Sequence, residues 1–196
     1  KRISDKEVSQ INGLPANPNI AHTSLSPDET KLAFTHTSQN GVELWLADLR
    51  TLNAKKIENI VLNANAGFPY TWFRDGSAIL VRTIPANAQP LIDTQKALPE
   101  GPIVSTSDGQ ISQNRTYQDL LKNPIDEANF EKLMSSELYK VDLSGNKSLW
   151  KEAGMYLSES FSPDGKYVLI TTLARPFSYL VPYFSFPMNT EIFSSD

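Results

Sequence analysis

Ser162-Pro163-Asp164-Gly165-Lys166, followed at once by Tyr167-Val-Leu-Ile-Thr-Thr-Leu173, is a tight turn running into an apolar strand. Proline presets φ at the second turn position, aspartate bonds back to the backbone, and glycine takes the position that needs φ > 0. The arrangement occurs twice more. Ser26-Pro27-Asp28-Glu29-Thr30-Lys31 leads into Leu32-Ala33-Phe34-Thr35, and Phe73-Arg74-Asp75-Gly76-Ser77 leads into Ala78-Ile79-Leu80-Val81-Arg82. Each copy reads as the tip of a β-hairpin. Two further stretches, Val42 to Leu49 and Ser136 to Leu143, alternate apolar and polar residues and both close on Asp-Leu before a turn. The turn aspartates stand 47 and 89 residues apart. The first spacing is that of one propeller blade, ~40 to 50 residues; the second is a blade plus an insertion.

The predicted fold is therefore all-β, a partial β-propeller of about three blades, each an antiparallel four-stranded sheet, with a short helical insertion. One domain covers 1–196, and a loop and helix insertion occupies 86–135 within it. The first half of the insertion, Pro85 to Asn114, is rich in Pro, Gly, Ser, Thr, Asn and Gln and reads as a long irregular loop. In the second half Asn123 is an N-cap, Pro124 suits the first helical position, and Asp126 and Glu127 complement the helix dipole. Phe130, Leu133 and Met134 give that helix an apolar face. Upstream, Thr116-Tyr-Gln-Asp119 has the form of a capping box on a short helix carrying Leu120 and Leu121.

Charge and composition narrow the function. The 196 residues carry 18 basic and 22 acidic side chains, a net charge of −4, with the signs interspersed. Nucleic acid is an unsuitable partner for such a surface, and there is no polybasic membrane patch. The absence of cysteine excludes disulfides and thiolate chemistry without fixing a compartment. The chain opens Lys1-Arg2-Ile3-Ser4-Asp5 and reads as a mature or trimmed piece. A periplasmic or secreted location in a bacterium is expected, with no membrane span.

Arg175-Pro-Phe-Ser-Tyr-Leu-Val-Pro-Tyr-Phe-Ser-Phe-Pro-Met188 is the densest aromatic stretch, with eight of fourteen residues aromatic or proline. Three prolines block a helix. An extended, tightly packed crossing between elements is expected, exposed on one side as a binding wall.

Together with Thr116-Tyr-Gln-Asp-Leu-Leu-Lys-Asn-Pro-Ile-Asp-Glu127, Ser136-Glu-Leu138 and Ser162-Pro-Asp-Gly165, the Arg175 to Tyr183 segment resembles the N-terminal propeller region of the glutamyl endopeptidase branch of the prolyl oligopeptidase family. The resemblance runs from about residue 15 to the end and is densest from Thr116 onward. It implies a propeller that caps a C-terminal α/β-hydrolase domain of the same polypeptide, whose Ser-Asp-His triad cleaves peptides after glutamate. The nucleophile of such a domain sits in a Gly-x-Ser-x-Gly elbow. None of the nine glycines here is placed to make one, so no catalytic residue is assigned to this chain. The implied role is to gate substrate access and line the peptide cleft. A glutamate-specific cleft needs a cation, and a guanidinium meets a carboxylate with a bidentate fork. Arg175 is the candidate, with Tyr179 and Tyr183 as neighbouring hydroxyl donors; its alternative is an ion pair within the propeller.

Other chemistry finds less purchase. His22 and His36 are too few for a triad within the chain or for a zinc site, and no metal or cofactor is expected. Asp28, Asp75 and Asp164 belong to three separate turns rather than to one carboxylate cluster. Trp45, Trp72 and Trp150 read as packing between blades rather than as a sugar platform. The rival reading is a stand-alone periplasmic binding propeller, which has no use for the helix insertion or the Arg-Pro-Phe-Ser-Tyr segment. The fragment, with open blade faces, is expected to self-associate.

Overall fold

The computed structural model describes residues 8–93, 117 and 119–196. Among the described residues eleven strands form three antiparallel sheets. The first holds β1 (Ile20–Leu25), β2 (Lys31–Ser38), β3 (Gly41–Asp48) and β4 (Asn53–Lys56). The second holds β5 (Tyr70–Trp72), β6 (Ala78–Thr83), β7 (Ser136–Asp142) and β8 (Lys147–Gly154). The third holds β9 (Tyr156–Phe161), β10 (Tyr167–Leu173) and β11 (Met188–Ser194). Each sheet is an up-and-down meander, the form of a propeller blade. The third has three strands among the described residues, where four were expected.

All three Pro-Asp or Arg-Asp turns join the first strand of a sheet to the second. Their backbones match: the N–H of Glu29, Gly76 and Gly165 donates to the carbonyl of Ser26, Phe73 and Ser162, at 2.8, 2.9 and 2.9 Å. Gly76 and Gly165 hold φ of 70° and 74°, and Glu29 is forced to 56° at the equivalent place. Asp28, Asp75 and Asp164 each accept a backbone N–H two residues on, at 3.2, 3.0 and 3.2 Å. Asp48 and Asp142 do the same in the turns after the third strands, accepting from Arg50 and Ser144. The carboxylates are local turn staples, as their spacing predicted.

The sheets stack face to face, and strand alternation shows how. On β6, Ile79 and Val81 point into a core shared with Ala33, Leu44 and Leu46 of the first sheet. Ala78 and Leu80 point the other way, into a core shared with Tyr156, Phe161, Val168 and Ile170 of the third. All six residues of β6 are buried, because this strand is covered on both faces. Leu62 bridges β3 and β6 between the first two sheets, pairing with Val42 and Thr83. The tryptophans are used in packing: Trp72 sits in the first core with its indole N–H on Ser24, Trp45 stacks on Phe34, and Trp150 packs on Phe193.

Residues 84–135 connect β6 to β7, and their one described helix is α1 (Pro124–Met134). Asn123 caps it as expected: its side-chain oxygen accepts from the N–H groups of Ile125 and Asp126, both at 2.9 Å. The second expected helix does not form. Leu120 and Leu121 are irregular, following Asp119 at a φ of 58° that no helical turn accommodates. Thr116 and Gln118 of that capping box lie outside the described residues, as does the greater part of the expected loop, 94–114.

Candidate functional site: a helix docked on an aromatic connection

The segment 174–187 is the expected non-helical connection between elements. It joins β10 to β11, the second and third strands of one sheet, and so returns to the sheet it left. It contains a single 3₁₀ turn at Tyr183–Ser185, entered from Pro182, whose fixed φ suits the start of such a turn. Residues 84–135 make the equivalent connection in the second sheet. In the first sheet that connection is a tight turn, in which Ser38 pairs with Gly41. Two neighbouring blades thus send long connections out from corresponding ends, and these dock.

Aromatic packing holds the dock. Phe130 of α1 meets Phe177 and Phe186 edge to face at 5.3 and 5.7 Å between centroids, while Phe177 and Phe186 stack at 5.3 Å. Met134, Leu173 and Ala66 complete the buried cluster, with Leu121 and Val181 at its margin. Edge-to-face and offset-stacked rings contribute about 0.5–1.5 kcal/mol per pair beyond their buried area. Leu133, assigned to the apolar face from its spacing, is instead exposed.

Polar contacts fix the C-terminal end of the helix and its flank. The Asn63 amide, buried between the first two sheets, donates to the carbonyls of Leu133 and Ser135 at 2.9 and 2.8 Å, and Asn65 donates to Leu133 at 3.0 Å. These satisfy carbonyls that the end of a helix leaves unpaired. Asn129 exchanges two hydrogen bonds with the backbone of Ile92, and Lys132 donates to the carbonyl of Pro90, tying 90–92 along the helix. Asn63, Asn65 and Asn129 escaped the sequence reading, since an asparagine in a polar loop carries no mark of its distant partner.

Arg175 lies where this connection meets α1. Its Nη1 donates to Glu127 and its Nη2 to Glu131, both at 2.8 Å. The two glutamates stand one helical turn apart and face the same way. The Phe177 ring lies 4.5 Å from the guanidinium carbon, a cation–π contact. Glu131 and Glu127 hold the guanidinium pKa above its ordinary value. Arg175, and then a hydrogen bond from Tyr179, hold the Glu127 carboxyl below its own. Arg175, Tyr179 and Tyr183 are brought together on one connection, each partly open to solvent, beside exposed Leu180 and Phe184. The ion pair within the propeller, the alternative reading of Arg175, is thus formed: both edges of the fork meet carboxylates of α1, and partly exposed ring faces lie beside it.

A second concavity lies along the first strands of the three sheets. Ser24 of β1, Tyr70 and Trp72 of β5, and Leu157 and Glu159 of β9 line a cavity of about 420 Å³. Tyr70 donates to the carbonyl of His22, and burial pushes its phenol up to about 12. His22 and His36 have separate partners, His22 meeting the Thr35 hydroxyl and His36 accepting the N–H of Asn19.

Comparison with known proteins points to one family. No protein-family model matches the chain. The protein named "Probable glutamyl endopeptidase, chloroplastic" of Arabidopsis thaliana is 34% identical over 197 residues, covering 95% of this chain and 20% of that one. Its namesake from Oryza sativa subsp. japonica is 31% identical over 198 residues, covering 95% and 21%. The chain therefore spans about a fifth of the length of the curated relatives it matches. A solved prolyl endopeptidase structure aligns with 79% of the chain and 18% of its own, at 14% identity and a TM-score of 0.47. With its repeated hairpin turns, its stacked antiparallel sheets and the two plant relatives, the chain is similar to a stretch of the β-propeller region of glutamyl endopeptidases of the prolyl oligopeptidase family.

Proposed function

We propose that this chain is the non-catalytic propeller part of a serine peptidase of the glutamyl endopeptidase type. It covers the active site of an α/β-hydrolase domain of the same polypeptide, restricts entry to short or unfolded peptides, and lines part of the peptide cleft. The supporting observation is the dock of α1 on 174–187, which gathers Arg175, Tyr179 and Tyr183 at a partly exposed edge of two neighbouring blades. Arg175 faces the substrate glutamate, and the two tyrosines flank the peptide. The proposal includes the periplasmic or secreted location expected above; among the described residues no helix is long and apolar enough to cross a membrane.

The test is fluorophosphonate labelling of the full-length protein, paired with digestion of a glutamate-containing peptide by the wild type and by Arg175→Met. Labelling, with cleavage after glutamate that Arg175→Met weakens, is expected. Absence of label would remove the peptidase reading, and an unchanged glutamate preference in Arg175→Met would remove the role given to Arg175.

A further inference from the structure

The Arg175 fork is already occupied, by two side chains of the type the proposed substrate would present. We infer that Glu131 stands on Arg175 in the place that the γ-carboxylate of a substrate glutamate takes, and so sets the strength of the glutamate preference from within the protein. This rests on the reading of Arg175 as the glutamate-facing cation.

The two glutamates are not equivalent. The Glu127 side chain is 20% exposed, and Tyr179 as well as Arg175 donates to it. Its position is fixed from two sides. The Glu131 side chain is 46% exposed and meets the Nη2 edge of Arg175, whose side chain is itself 49% exposed. The ring of Phe177 covers one face of the guanidinium. The Glu131 edge is therefore the one an arriving carboxylate can take. Ion pairs this exposed contribute little net stability, because water competes for both partners. Exchange of Glu131 for another carboxylate of the same charge and geometry is thus close to neutral, whereas displacement of Glu127 breaks two hydrogen bonds.

Charge gives the direction of the effect. One cation with two carboxylates carries a local charge of about −1, which opposes a third carboxylate. Removing the Glu131 charge while keeping its size brings the group to neutrality and leaves Nη2 with a weaker partner. Glu131 therefore lowers the affinity for glutamate peptides, and its neutral variant raises it.

The experiment uses the full-length protein and two peptides identical but for glutamate or glutamine at the cleaved position, each competing with a common fluorogenic glutamyl substrate. Glu131→Gln is expected to tighten the glutamate peptide roughly two- to fivefold relative to the glutamine peptide, the range exposed ion pairs span. No change, or an equal change for both peptides, would overturn the inference; the equal change is what a merely structural loosening of the dock produces. Arg175→Met is measured alongside. If it retains the glutamate-over-glutamine discrimination, the reading of Arg175 itself fails, whatever Glu131→Gln does. If it abolishes discrimination while Glu131→Gln leaves it unmoved, the role of Glu131 alone is lost.

Discussion

Arg82 on β6 and Glu159 on β9, 77 residues apart in sequence, form a buried ion pair that joins the second blade to the third, with Nε and Nη2 both donating to the carboxylate. Their side chains are 3% and 4% exposed. The fork has further work: Nη1 donates to the carbonyl of Ala66 and Nη2 to that of Leu157, both at 2.7 Å. One side chain thereby ties the linker before β5, the strand β6 and the strand β9 together.

A buried pair costs a great deal to break and much less to replace whole. Glu159→Leu is expected to destabilise the protein by about 3–5 kcal/mol, since it leaves Arg82 charged and buried. The double variant Arg82→Met/Glu159→Leu should recover a large part of that loss, though not all, because two carbonyls lose their donor. Denaturant unfolding of both variants checks this, and equal losses in the two would contradict it.

Glu29 occupies the turn position that glycine fills in the other two blades, at a φ of 56°. A non-glycine residue pays about 1–2 kcal/mol in that region, partly offset by the entropy glycine loses on folding. Glu29→Gly is therefore expected to stabilise the fold by up to about 1 kcal/mol, read as an upward shift in the unfolding midpoint.

The turn carboxylates make stability depend on acid. Hydrogen bonds from Ser26 and Thr30 bring Asp28 down to about 2. Asp164 is lowered by Ser162, Asp75 by the backbone of Ser77, and Asp142 by Asn146. A folded pKa below the unfolded value gives stability that is full above the unfolded value, about 3.9 for aspartate, and is lost as pH falls through the folded one. Unfolding midpoints should thus be flat from neutrality to about pH 5 and fall toward pH 2. Asp28→Asn should flatten part of that fall.

These turns show what was legible locally. Ser-Pro-Asp-Gly, the Asn123 cap and the alternation of β7 each lie within a few residues of chain, so their chemistry is complete in the sequence. The Arg82–Glu159 pair and the docking of Phe130 on Phe177 are not, since each depends on which faces of successive sheets meet. Arg175 stands out in the sequence because its neighbours are unusual; its ion-pair partners do not, although Glu127 and Glu131 share a helix face. The short helix assigned to Leu120 and Leu121 shows local propensity overridden, as Leu121 packs at the margin of the aromatic cluster instead.

The outer face of the third sheet presents Ser158, Ser160, Tyr167, Leu169, Thr171, Thr190, Ile192 and Ser194, with no charge among them. Leu169 and Ile192 are paired across the strands and both exposed. Such a face invites another sheet. The 196-residue chain alone is expected to self-associate, and Leu169→Lys/Ile192→Lys to reduce this. A monodisperse wild-type monomer by light scattering at high concentration would contradict the expectation.

The role proposed for this propeller is to serve a peptidase that cuts after glutamate. Mass-spectrometric mapping of cleavage sites, with the full-length protein acting on a mixed library of short peptides, tests it most directly. Cuts concentrated after glutamate are expected. Absence of cleavage, or cuts with no preference for glutamate, would contradict it.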